Sequence, residues 1–143
     1  MLSTLEEMCE RTGIWVHSYV LMTNHYHLLT ETPEPNLAAG MKWFQGTYTQ
    51  RYNSRYRQRG HVFQGRYKAV PIEADEPEYF RIVSDYIHLN PARAGLLDPE
   101  QPNLKSFPWS SYPQFVEGGV MPKWLRRDRV FSSQGLPDEG HRR

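Results

Sequence analysis

The chain has 143 residues, of which 38% are hydrophobic, with a mean hydropathy of -0.72 and a formal net charge of +1. That length suits one domain with a real core and is too short for two; no apolar run approaches the roughly 18 residues of a membrane span, so a cytoplasmic protein with no membrane partner is expected. The lone Cys9 excludes an internal disulfide and a cysteine metal cluster, and is expected to pack as a small apolar side chain.

Residues 4–12 read as a helix. Thr4 and Glu7 have the spacing of a capping box, and Gly13 stands where a left-handed terminal residue belongs. From Ile14 to Met22 the pattern alternates like a strand, with Ile14, Val16 and Val20 on one side and Trp15, Tyr19 and Leu21 on the other. Thr23-Asn24 turns the chain into a second strand, so residues 14–31 make a β-hairpin that Pro33 and Pro35 terminate. Within it lies His25-Tyr26-His27. Strand side chains alternate faces, so the two imidazoles point one way while Tyr26 and Leu28 point the other. Such a pair can grip one metal ion, and it can equally be two surface histidines. His17 on the first strand is expected to be structural.

Asn36 can cap a second helix running to about Tyr56. Phe44, Tyr48, Tyr52 and Tyr56 recur every four residues and form a stripe expected to pack on the sheet for most of its length. Arg51 and Arg55 fall beside the stripe, with Lys42 earlier on the same helix. Between Pro35 and Ile72 the sequence carries Lys42, Arg51, Arg55, Arg57, Arg59, Arg66 and Lys68, and no Asp or Glu. A segregated basic block interleaved with aromatics is a usual footprint for nucleic acid, whereas a solvated helix face normally mixes signs. Residues 57–66 read as a loop whose glycines allow close backbone approach and whose arginines suit phosphate. Tyr67 to Glu73 is expected as a third strand, at an edge because Pro71 lacks an amide donor.

Asp75 and Glu78, with Pro77 in the first turn, mark a helix expected to reach Leu89 and stop before Pro91. Tyr79, Val83, Tyr86 and Asn90 share one face of it. Residues 90–96 read as a compact turn and Pro99 to Pro113 as a loop anchored by Trp109 and Tyr112. A short helix is expected over Lys123 to Val130. The organisation read from this is one domain over residues 1–131 and a disordered tail over 132–143.

Three pieces occur in fixed order: the hairpin with His25-Tyr26-His27, the basic Gly65-Arg66-Tyr67-Lys68, and Asp85-Tyr-Ile-His-Leu-Asn-Pro-Ala-Arg-Ala-Gly-Leu96. Together they resemble the HUH single-tyrosine transposases, most closely the REP-associated tyrosine transposases, and Pro108-Trp-Ser-Ser-Tyr112 is similar to a downstream piece of those proteins. The resemblance implies an α+β, ferredoxin-like antiparallel sheet with helices on one face. It implies that His25 and His27, completed by Asn90, hold a divalent metal, Mg2+ or Mn2+, and that Tyr86 is the nucleophile. It further implies action on single-stranded DNA near hairpins, associated with repeated palindromes in bacterial chromosomes, through a 5′-phosphotyrosine link. Relatives have a strand ahead of the first helix, and this chain opens at the helix. Either this start is truncated, or the sheet has lost a strand and is expected to have an open edge, in a monomer, in a homodimer that exchanges strands there, or in a weakened remnant.

Tyr86 and Asn90 are four apart, hence on one helix face. Taken without the histidines, Tyr86 reads as a core tyrosine, and Asn90 can be simply the last helical residue before Pro91. For DNA, the candidate contacts are Lys42, Arg51, Arg55, Arg59, Arg66, Lys68 and Arg93; Arg93 can instead tie the turn after the helix to backbone carbonyls. Two other readings stay open. One is a catalytically inactive protein of the same fold that binds single-stranded or hairpin DNA. The other is a metal-dependent hydrolase using a water nucleophile, in which Tyr86 is dispensable.

Overall fold

The computed structural model describes residues 1–73 and 75–138. Its elements are α1 (Leu2–Thr12), β1 (Trp15–Leu21), β2 (Tyr26–Glu31), α2 (Leu37–Tyr56), α3 (Pro77–Arg93), a 3-10 turn (Leu104–Ser106), α4 (Tyr112–Glu117) and α5 (Asp128–Ser133). The chain is α+β as expected, with a small sheet in which β1 and β2 pair as a hairpin. The residues gather into two compact units: Met1–Trp15 with Thr32–Pro71, and Val16–Glu31 with Ile72 onwards.

In the first unit α1 lies along α2, burying Leu5, Met8, Met41 and Phe44. The helices approach closely because residue 40 is glycine: a Cβ there would sit 2.9 Å from Ile14 Cδ1 and 3.3 Å from Met8 Sδ. Gly13 ends α1 in the left-handed conformation, φ 73°, as expected. Asn36 precedes α2 as expected, but its amide donates to the Thr12 carbonyl at 2.8 Å and so ties the two helices end to end. The expected capping box does not form. The helix starts at Leu2, which leaves Thr4 and Glu7 inside it; Thr4 is buried, and Glu7 takes the Arg51 guanidinium through bonds of 2.8 and 3.0 Å.

Two further expectations fail in this unit. Of the aromatic stripe only Phe44 is buried. Tyr48, Tyr52 and Tyr56 pack on one another instead, with centroids 6.0 and 4.7 Å apart, and Phe63 from the following loop meets Tyr48 at 5.8 Å. Tyr67 to Glu73 is not a strand. Val70 is 75% exposed, so the segment has no apolar face to bury, and Pro71 removes a ladder donor.

In the second unit β1 is buried along Val16–Val20, on both faces. One edge pairs with β2. The other edge, expected to be open, is held at two places. Val16 bridges to Leu125, with its N–H on the Trp124 carbonyl at 3.1 Å, and Val20 bridges to Ser110, with the Leu21 N–H on the Trp109 carbonyl at 2.7 Å. Across the hairpin the buried His17 Nε2 meets Glu31 Oε2 at 2.9 Å, and Arg129 reaches the same oxygen at 3.3 Å. Partial burial raises the Glu31 pKa, but His17 and Arg129 together hold it below the usual carboxylate range, while burial keeps His17 below its ordinary value. His17 is structural, as expected.

Helix α3 turns Phe80, Ser84, Ile87, His88 and Asn90 inward. It does not stop before Pro91 but continues to Arg93. Pro91 costs only the bond its missing N–H would have made, and the final turn closes through Ala94 N–H to Asn90 O at 3.0 Å and Leu96 N–H to Pro91 O at 2.9 Å. Helix α5 starts at Asp128, later than expected, and runs to Ser133. Beyond it Asp138 accepts from Arg127 Nε at 3.1 Å; residues 139–143 of the expected tail lie outside the described residues. No described helix is long and apolar enough to cross a membrane.

Candidate active site

The hairpin turn sets the first part of the site. Met22 N–H donates to the His25 carbonyl at 2.8 Å, which closes the turn one residue before β2 begins. His25 and His27 therefore project on the same side, as the strand period requires, with ring centroids 5.1 Å apart and planes at 80°. An imidazole nitrogen about 2.1 Å from a metal puts its ring centroid roughly 3.2 Å from the ion, so two such rings about 110° apart stand about 5 Å from each other. The observed separation fits a shared ion.

The tautomer of His25 is set by its neighbour. Nδ1 lies 2.7 Å from Asn24 Oδ1, an atom that can only accept. In the neutral ring Nδ1 then donates and Nε2 carries the lone pair, the tautomer that an outer partner selects in an imidazole able to bind a metal. For His27, burial first and the nearby His25 second lower the pKa, favouring the neutral, ligating form. Among the described residues, no three His, Cys, Asp or Glu side chains cluster as a metal site, so a third protein ligand here would be of another type.

Helix α3 brings the second part. The Tyr86 ring meets the His27 ring edge-on, with centroids 5.6 Å apart and planes at 76°. Its surface is 44% exposed, so the phenol is open to a macromolecular substrate rather than sealed in the core. The Arg93 guanidinium lies 5.3 Å from the centre of the same ring. The spacing of seven, two helical turns, places them on one face. Asn90, one turn beyond Tyr86, is only 8% exposed. The structure thus unites His25, His27, Tyr86 and Arg93 in one cluster at the surface, while Asn90, one turn further along the helix, is buried.

The remaining candidates, Lys42, Arg51, Arg55, Arg59, Arg66 and Lys68, all belong to the first unit, and all are exposed. Arg51 is already committed to Glu7. Arg55 lies over the Tyr56 ring at 5.7 Å. The sequence reading missed Asn24 as an orienting group; its place next to His25 in the turn was the available signal. It also missed that Arg93 covers the tyrosine ring, which the spacing of seven could have revealed. His88, left between surface and core, is buried and shares a 2.8 Å hydrogen bond with Ser111 Oγ. Trp109, expected to anchor its loop, is 55% exposed.

The model of the family described as Transposase IS200 like matches residues 1–90, which include the histidine pair, Tyr86 and Asn90. No curated protein and no solved structure matches the chain. The chain belongs to the IS200-like transposase family.

Proposed function

We propose that this IS200-like transposase cleaves and rejoins single-stranded DNA beside hairpins, with Tyr86 as nucleophile. The observation that carries this reading is the edge contact of the Tyr86 ring on His27, whose ring in turn stands 5.1 Å from His25. Membership of a transposase family supports DNA as the partner and is consistent with strand transfer as the reaction.

Tyr86 loses its phenolic proton to solvent, and its oxygen bonds to a backbone phosphorus as the bond to the 3′-oxygen breaks. The departing oxygen takes a proton and leaves as a 3′-hydroxyl. The protein then carries a 5′-phosphotyrosine, and attack by a 3′-hydroxyl reverses the step with the bond energy conserved. A divalent ion, Mg2+ or Mn2+, held by His25, His27 and Asn90, would when bound withdraw charge from the phosphodiester and favour the phenolate. Asn24 fixes the His25 ring, and Arg93 places a cation against the tyrosine ring, where it offsets the charge of the phenolate. Arg59, Arg66 and Lys68 hold backbone phosphates, with Lys42 and Arg55 in support. The hairpin substrate we assign is the REP-type palindrome.

The test is a denaturing gel of the protein with hairpin-bearing single-stranded DNA and Mn2+. A covalent protein–DNA band that disappears in Tyr86→Phe supports the reading. Cleavage without the band would assign the attack to water, and binding with neither would leave a DNA-binding module without chemistry.

A further inference from the structure

Trp109 has no part in the chemistry above, yet the fold holds it firmly and leaves it in solvent. Its own carbonyl accepts the Leu21 N–H at 2.7 Å. The next two residues are buried: Ser110 bridges to Val20, while the Ser111 N–H binds the Tyr19 carbonyl at 3.0 Å and Ser111 Oγ accepts the Tyr19 N–H at 3.0 Å. The backbone is thus pinned to β1 on the C-terminal side of the indole. Scattered exposed aromatics need no explanation, but this one walls a cleft of about 370 Å³ lined by Leu21, Met22, Thr23, Leu96, Phe107 and Trp109. That volume lies in the range of about 300–1,000 Å³ usual for small-molecule clefts.

The position of the cleft decides what it takes. Thr23 is two residues before His25, and Leu96 is three residues after Arg93, so both strands of chain that leave the catalytic cluster form its lining. A mostly apolar cleft with an indole in its wall and Thr23 in its lining suits an aromatic ring, and unpaired bases stack on such walls whatever their sequence.

We propose that this cleft receives one unpaired base of the single-stranded substrate, close to the phosphate attacked by Tyr86, with Trp109 as its stacking platform. The proposal rests on the reading of the site as a single-strand transposase centre. It makes Trp109 a substrate-positioning residue.

The test walks 2-aminopurine, whose fluorescence falls when it stacks, through the unpaired positions of a hairpin oligonucleotide bound to the full chain. One position is quenched. Trp109→Ala removes that quench and weakens binding about tenfold, whereas Trp109→Phe keeps most of both. Leu96→Glu, which leaves the indole intact, also reduces the quench, and it carries the comparison should Trp109→Ala melt early. In a fully paired duplex, where the probe is already stacked between its neighbours, adding the protein causes no further quench. A quench profile and affinity indifferent to Trp109→Ala and Leu96→Glu would overturn the proposal, as would an equal effect on the duplex. The two readings fail separately: a Trp109-dependent quench without any covalent adduct spares the cleft and removes the nucleophile, and an adduct without such a quench does the reverse.

Discussion

Acidification should unfold this chain partly through one buried imidazole. His88 lies between Ser111, Tyr112 and Phe115, with ring centroids 5.5 and 5.4 Å from the two aromatics and no carboxylate among these neighbours. Burial pushes its pKa from the ordinary 6.5 down to about 4. The unfolded chain takes up a proton here as pH drops below 6.5, while the folded chain does not until about 4, so acid favours unfolding across that window. At about 1.4 kcal/mol for each pH unit, the loss comes to roughly 3 kcal/mol, a large part of the roughly 5–15 kcal/mol that stabilises a domain. His17 and His27 are lowered as well and add to the slope in the same sense, so the wild type alone does not isolate the effect. The comparison with His88→Gln, measured by urea unfolding, does. The advantage of wild type over the variant should be roughly 1 kcal/mol smaller at pH 5.5 than at pH 7.5, and roughly 2–3 kcal/mol smaller at pH 4.5. A difference that stays flat over this range would refute the assignment.

Other substitutions test other parts of the account. Asn24→Ala removes the acceptor that orients His25 and should weaken Mn2+ binding about 10- to 100-fold in a calorimetric titration, with stability little changed. Gly40→Leu forces bulk between α1 and α2, where even a Cβ meets Ile14 at 2.9 Å, and should cost about 1–3 kcal/mol in denaturant unfolding. Arg59→Ala or Arg66→Ala should weaken DNA binding and reduce the salt slope by about one phosphate contact, read from affinity against ionic strength. Arg51→Ala, whose guanidinium already serves Glu7, should change that slope less.

How far these features were legible in the sequence depended on how local their physics is. The strand period of two fixed the shared side of His25 and His27, and it did so although His25 itself sits in the turn. Helix periodicity gave α2 and α3 and the shared face of Tyr86 and Asn90, but on that pattern alone Tyr86 read as a core residue, and its exposure is seen only in the structure. What escaped was decided by partners distant in sequence. Ser111, far along the chain from Tyr19, satisfies the backbone of β1 and holds that edge. Pro91 looked like a stop because its missing donor is certain, yet near a helix end that loss is small and packing of Asn90 and Pro91 prevails. The exposure of Trp109 followed from burial of Ser110 and Ser111, a reversal of the usual polarity that composition does not announce.

The most direct test of the central claim is to trap the cleaved complex, digest the DNA and the protein, and locate the attached nucleotide by mass spectrometry. Trypsin should release Ile82 to Arg93 as one peptide whose only tyrosine is Tyr86. The account predicts a nucleotide on that tyrosine, dependent on Mn2+ and lost in His27→Ala. A nucleotide on a different tyrosine, or cleaved DNA with every tyrosine bare, would contradict it.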